Sequence, residues 1–384
     1  MRPALDIIYN MTPVCPHDCP LCCVDAAHVT RQGDDVVIRI DGLQTEHRVP
    51  RGDDARSIFD IAAGKLQSLG RELSLAQKLT ILANLDLEHV RLDISGGDPL
   101  VVSDNVAVLR AASAKLGPDY ITLTATGSGL VGIDLPELAS LVGEFNFTYD
   151  SASIDDVADR PDAYASANLA VGRKLAALGA ITRAEFPITR ATCDPDHVRR
   201  LFINLHQAGI TKLLLMRLFP SGRGATVEAK TLSRAEYAAV IAQLRALERE
   251  FGAPQLHLQC ALRHIDADTS APASTDAVNP CDMVRESFGL TPMGVLLASP
   301  WAINAKGWPS DPDFVLGNLL EQKLSEIIAS PRVRAPRARA NENFGHCKVL
   351  AERFSKRATA FERMHDKSDP LYAADDGDSY AAAK

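Results

Sequence analysis

The chain has 384 residues, 46% of them hydrophobic and 23% charged, the make-up of an ordinary globular protein with room for a large domain and a smaller one. A net charge of −8 gives no electrostatic ground for binding nucleic acid or an anionic membrane surface, and no apolar run approaches the roughly 18 residues of a membrane span. The first residues, MRPALDIIYNMTPVC, show no secretory signal, so a cytoplasmic location is expected, where clustered cysteines favour metal binding or catalysis over disulfides.

From residue 4 to about 260, β-rich runs alternate with amphipathic stretches. LDIIYN (5–10), HVRLDIS (89–95), YITLTAT (120–126), EFNFTYD (144–150), TRAEFPIT (182–189) and KLLLMRLF (212–219) read as strands. ARSIFDIAAGKLQSL, NVAVLRAASAKLG, ANLAVGRKLAALG and PDHVRRLFINLHQAG read as helices, with Gly117, Gly179 and Gly209 as C-terminal caps. Such alternation predicts a parallel sheet of βα units, and six strands are fewer than the eight of a closed barrel. A hairpin-like insertion at 28–49 interrupts it. A long helix is expected at about 233–251, and QLHLQCALRH then reads as a strand. The Ser/Thr/Ala/Asp-rich linker DADTSAPASTDAVNP leads to a β-hairpin around TPMG, a helix over 318–329 and a basic segment, RVRAPRARA, read as a solvated face. The acidic tail 366–384 is expected to be disordered.

Chemistry concentrates in VCPHDCPLCCVDA, Val14 to Ala26, which holds four of the eight cysteines. Cys15, Cys19 and Cys22 are spaced C-x3-C-x2-C. Thiolates are soft ligands for zinc, copper(I) or iron–sulfur clusters. A structural zinc site wants four ligands, commonly as two close pairs, whereas here no second pair lies nearby and His17 is cramped inside the loop. A cubane [4Fe–4S] cluster takes four thiolates, so a loop supplying three leaves one iron open. Cys23 falls outside the spacing and reads as a small buried neighbour.

This loop, placed after the first strand, resembles that of the radical S-adenosylmethionine (SAM) superfamily. The resemblance implies that SAM chelates the open iron. It is then cleaved reductively to methionine and a 5′-deoxyadenosyl radical, which abstracts hydrogen from a substrate. It also implies an external electron donor such as a flavodoxin or ferredoxin. By the same resemblance Leu21 lies against the adenine. SGGDPL supplies Gly96, Gly97 and Asp98 to the SAM amino group, with Asp98 in place of the usual Glu. Thr126 of TATG, and Thr148 and Asp150 of TYD, end the third and fourth strands as further cofactor-binding candidates; as strand-end polar groups they have an ordinary structural reading too. Glu185 and Arg217 are weaker candidates, and LFPSGRGA resembles the Pro-x-Gly-Arg turn of the same subgroup. Cys193 reads as structural, with hydrogen-atom donation as the alternative.

Cys281, Gly294 and position 299 resemble the C-x12-G-x4-C hairpin of the SPASM/twitch extensions, as does LGN (316–318). Ser299 stands where the second cysteine belongs, leaving Cys260, Cys281 and Cys347, enough for one auxiliary cluster with Ser299, substrate or water at the fourth iron. The alternative is three unrelated buried thiols. The expected architecture is thus α/β: a partial (β/α)6 TIM-type barrel over 1–252 and a small α+β twitch-like domain over 253–365. The resemblance makes a ribosomally made peptide or protein the first candidate substrate, and a small molecule of a biosynthetic or cofactor pathway the second. A non-catalytic, zinc-stabilised binding protein is the alternative from another class.

Overall fold

The computed structural model describes residues 5–130, 132–152, 160–161, 163–224, 231–266 and 279–372. The chain opens with β1 (Leu5–Thr12) and the two-residue β2 (Val14–Cys15), followed by β3 (Ala27–Gln32), β4 (Asp35–Ile40) and β5 (Thr45–Pro50). Next come β6 (Val90–Gly96), β7 (Ile121–Thr124), β8 (Glu144–Thr148), β9 (Ile181–Pro187), β10 (Lys212–Met216) and β11 (Gln255–Leu258). The last strands are β12 (Ser287–Leu290), β13 (Val295–Leu297) and β14 (Val315–Asn318).

All six expected strands are present and lie side by side, β1-β6-β7-β8-β9-β10, each parallel to the next. Alternation explains the curvature of chemistry across this sheet. In β6, Val90, Leu92 and Ile94 are buried in the core while Arg91, Asp93 and Ser95 face the other way, into the lumen. The helices close the outer layer. Pro195–Gln207 starts where Asp194 Oδ1 accepts the N–H groups of Asp196 and His197, with Pro195 in the first turn, and it buries Val198, Leu201, Phe202 and Leu205 at helical spacing. The long helix Arg234–Phe251 opens with a Ser233/Glu236 capping box and stops at Gly252. Gly117, Gly179 and Gly209 all have positive φ, as helix-ending glycines do.

Two parallel additions extend the sheet. β11 adds to β10, and β12 pairs with the free side of β1 and leads an antiparallel β12-β13-β14 meander. The sheet is therefore ten strands wide and open, with the strands after residue 253 on both of its edges. QLHLQCALRH is only half strand: it pairs as far as Leu258, and then Gln259 accepts the N–H groups of Leu262 and Arg263, turning Cys260–Asp266 into a helix. The expected helix at 318–329 is shorter, Leu324–Ile328, and the basic segment is the helix Pro331–Ala338.

The insertion has one strand more than a hairpin. A second turn at Asp41–Leu43, three consecutive residues with positive φ, adds β5 to β3 and β4. With β2 these make a second sheet whose Val29, Val36, Ile38 and Ile40 pack on Ile61, Ala62 and Leu66 of the helix Ile58–Ser68. The tail boundary also moves. Residues 366–372 are packed, with Asp369 buried in an ion pair, because the buried Arg217 needs a counter-charge; residues 373–384 lie outside the described residues. No helix among the described residues is long and apolar enough to cross a membrane.

Candidate functional site

The Cys15–Ala26 loop is tied off at its base. Val14 and Cys15 pair with Ala27 and His28 across β2 and β3, and Ala27 N–H donates to Pro13 O at 2.7 Å. The insertion thus serves as a brace for the cysteine loop. From the opposite side the turn after β10 grips it. Arg223 Nε donates to Cys19 O at 2.9 Å, and its Nη1 reaches Ala26 O at 2.7 Å and Asp25 at 3.0 Å. Arg223 N–H bonds Cys22 O at 2.9 Å, and Ser221 Oγ bonds Cys23 O at 2.9 Å. Gly222 (φ +55) sits so close that a Cβ would lie 2.5 Å from Cys22 O, so the turn needs glycine for space as well as conformation.

The glycine pair of SGGDPL does similar work. A Cβ on Gly97 would fall 2.3 Å from Val14 O, and the N–H groups of Gly97 and Asp98 bond Thr12 O and Val14 O at 2.8 Å each. The glycines therefore let this segment lie directly against the strand that enters the cysteine loop. Below them a buried network fixes the same two segments: Thr12 Oγ1 donates to Glu72 at 2.6 Å, Glu72 pairs with Lys78, and Lys78 reaches Asn105, which bonds Pro99 O.

A cavity of about 340 Å³ opens between the cysteine loop and the carboxyl ends of the strands. Cys15, Cys19, Cys22, Leu21, Gly96, Gly97, Thr126 and Thr148 line it, so most of the residues named from sequence converge on one space. Of the cofactor-binding candidates, two do not reach it. Asp98 is fully buried and turned to Thr126 Oγ1, and Asp150 is paired with Arg160 at 2.8 Å. The shorter side chain explains Asp98: it is held against its own strand-end neighbour, and burial, offset only partly by the Thr126 bonds, pushes its carboxyl up to about 7. Glu185 lines the cavity. Arg217 does too, but its guanidinium is locked on Asp369 at 2.8 and 2.7 Å. Cys193 lies elsewhere, its Sγ against Arg190 O at 3.4 Å.

Some site residues had weak or no signal in the sequence. Arg160 follows β8 and bonds both Asp150 and the Cys19 thiol. Its guanidinium lies 5.4 Å over Tyr164, whose hydroxyl bonds Thr148. His17 packs edge-on against Tyr164 at 4.9 Å and faces Ser128 at 3.3 Å, so its ring serves the loop's packing. Asp93 and Arg183 are not among the residues singled out from the sequence, although polar residues at every second position of apolar strands are a signal of a polar lumen.

Burial raises the Cys15 and Cys19 thiols, with Asp98 and Cys22 adding to the rise at Cys15 and Cys22 to that at Cys19. Such a trio fits a positively charged metal group that takes thiolates, with Arg160 and Arg223 supplying cations on either flank. Arg223 Nη2 is buried with no hydrogen-bond partner among the described residues. Those residues contain no group of three or more His, Cys, Asp or Glu side chains suited to holding a single metal ion. A cubane, whose thiolates bind separate irons, does not require that convergence.

Cys260, Cys281 and Cys347 also come together. Cys260 hydrogen-bonds Cys281, which lowers Cys281 and raises Cys260, and burial together with the nearby Cys281 raises Cys347. Cys260 lines the same cavity as the N-terminal trio. Phe219 and Trp301 stack at 4.9 Å on its wall, and Phe219 packs beside Cys347. Ser299 is buried, with its Oγ accepting from Trp301 N–H at 3.3 Å.

The open, mostly parallel sheet, with the cysteine loop after its first strand, shares its fold with solved structures. Among solved structures, the chain is similar to SuiB of Streptococcus suis bound to precursor peptide SuiA, with TM-score 0.59 and 11% identity over 87% of this chain and 67% of SuiB. It is also similar to anSMEcpe with bound AdoMet, with TM-score 0.54 and 12% identity over 87% of this chain and 83% of that one. SuiB bound to S-adenosylmethionine gives TM-score 0.57 at 11% identity, over 87% of this chain and 65% of SuiB. No protein-family model and no curated protein sequence matches the chain.

Proposed function

We propose that the chain is a radical SAM enzyme that holds a [4Fe–4S] cluster on Cys15, Cys19 and Cys22 and acts on a substrate in the adjoining lumen. The observation that carries this is that the three spaced thiols, Cys15, Cys19 and Cys22, with Cys23 beside them, line one cavity together with Gly96 and Gly97. When bound, the cluster and SAM supply a reductively generated carbon radical able to remove a hydrogen atom. The protein's own part is positional. Arg223 and the β2–β3 pairing fix the loop, Arg160 sets a cation beside Cys19, and Leu21, Thr126 and Thr148 shape the cosubstrate's side of the cavity. The Cys260–Cys281–Cys347 group supports a second, auxiliary cluster facing the same space.

A ribosomally made peptide or protein is the substrate class put forward first, supported by the likeness to SuiB in its complex with a precursor peptide. A small biosynthetic molecule is the second class. The test is anaerobic reconstitution, reduction and addition of SAM, with chromatographic measurement of 5′-deoxyadenosine. Release that depends on Cys15, Cys19 and Cys22 supports the proposal. Protein that is colourless, carries about one zinc and releases none refutes it in favour of a zinc-stabilised binding protein.

A further inference from the structure

Below the cysteine loop, the inward positions of the strands are charged. Asp6, Arg91, Asp93, Glu144, Arg183, Glu185 and Lys212 form one group around the lumen. Most are matched: Arg91 pairs with Asp6 at 2.6 Å, Arg183 with Glu144 at 2.9 Å and Glu185 at 3.3 Å, and Lys212 with Glu144 at 2.5 Å. Further along the wall, Arg263 and Asp282 lie in each other's field. Asp93 is the exception. Its one hydrogen-bond partner among the described residues is the Thr124 hydroxyl at 2.9 Å, itself held by Asn146 Nδ2 at 3.2 Å. Arg160, Arg217 and Arg223 also line the cavity but are each paired with another carboxylate, Asp150, Asp369 and Asp25, so in this group Arg183 and Lys212 are left to serve three carboxylates, Asp93, Glu144 and Glu185.

A second acceptor points to the same ligand. Asn10 lines the cavity from β1, is buried, and its Oδ1 has no hydrogen-bond partner. Register places Asn10 beside Ser95 and Ile8 beside Asp93, so the two acceptors sit one inward position apart on neighbouring strands. Across the lumen Glu185 is close enough to act on Asp93, and burial with that like charge, offset only in part by Arg183 and the Thr124 bond, pushes Asp93 up to about 7. Water can complete the hydrogen bonds of such a site, while its excess charge is met either by a proton on Asp93 or by a bound cation.

We infer that Asp93, with Glu185 and Asn10, anchors a cationic, donor-rich group of the substrate, an ammonium or guanidinium. Asp93 lies three residues below Gly96, roughly 10 Å at the rise of a strand, so the cation is the far end of the substrate and not the carbon that reacts. The inference rests on this cavity being the substrate site of the proposed enzyme.

The test is anaerobic calorimetric titration of the reconstituted full chain with SAM present. The probes are N-acetyl-lysine methylamide, its uncharged counterpart N-acetyl-norleucine methylamide, and 1,5-diaminopentane. At least one cationic probe binds tenfold or more tightly than the norleucine compound, and Asp93→Asn and Glu185→Gln each shrink that preference at least threefold. A stronger response to the lysine compound assigns the cation to a peptide, and a stronger response to the diamine assigns it to a free amine. Equal binding of charged and neutral probes, no measurable binding of either cation, or a preference that survives in folded Asp93→Asn protein overturns the inference. The comparison between probes is made on the unaltered protein, so it survives a variant that fails to fold. Measuring 5′-deoxyadenosine release from the same preparation separates failure of the enzyme proposal from failure of the cation site.

Discussion

Replacing Asp369 with Ala tests whether the last packed segment of the chain holds the auxiliary cysteine group in place. Asp369 and Arg217 have 0% and 2% of their side-chain surface exposed and meet in a two-pronged pair at 2.7 and 2.8 Å. The same carboxylate accepts the N–H of Cys347 at 2.9 Å and that of Leu371 at 3.0 Å. Truncation strands the Arg217 guanidinium in the interior without a counter-charge and leaves two N–H groups without their acceptor. Breaking such a pair destabilises by about 3–5 kcal/mol, a large part of a typical protein's total of about 5–15 kcal/mol. Equilibrium urea unfolding of the reconstituted protein reads this as a fall in extrapolated stability. The double change Arg217→Met with Asp369→Leu recovers most of it, because an apolar pair leaves no charge buried. A loss below about 1 kcal/mol in the single variant, or no recovery in the double, refutes the role given to the pair. Iron analysis adds a second reading: Asp369→Ala loses iron from the Cys260–Cys281–Cys347 group before it loses iron from the N-terminal loop.

Three further outcomes are expected. Changing Cys15, Cys19 and Cys22 together to Ala abolishes 5′-deoxyadenosine formation yet leaves about four irons per chain on the auxiliary group; complete loss of iron counts against a second cluster. Gly222→Ala forces a Cβ to 2.5 Å from Cys22 O at a φ of +55, so SAM cleavage falls at least tenfold while the far-ultraviolet circular dichroism is unchanged; near-normal turnover would show that the turn does not hold the loop. Asp93 shifts from 3.8 to about 7 through burial and the facing Glu185, so between those values the folded state binds the extra proton and stability falls as pH rises. The fall is at most about 4 kcal/mol and is complete by about pH 7. Asp93→Asn flattens it in urea titrations at pH 5 and pH 7.5, and an unchanged slope would exclude Asp93 as its source.

What the sequence determined by itself was local in kind. The six strands, their helices and the three helix-ending glycines were readable because hydrophobic period and capping chemistry act over a few residues. The C-x3-C-x2-C loop was readable because its ligands are close in the chain. Residues joined only by the fold were not. Nothing near position 369 announces that Arg217, some 150 residues earlier, lacks a counter-charge, so the tail boundary fell short of the packed segment. Asp98 reads as a ligand-facing acceptor by its place after a strand, but only packing against Thr126 decided that its shorter side chain turns away. Likewise the insertion reads as a surface hairpin until β2 and β3 pair and make it the brace of the cysteine loop. The charge imbalance around Asp93 is the furthest from the sequence, since it is a sum over five strands that the parallel sheet alone brings around one lumen.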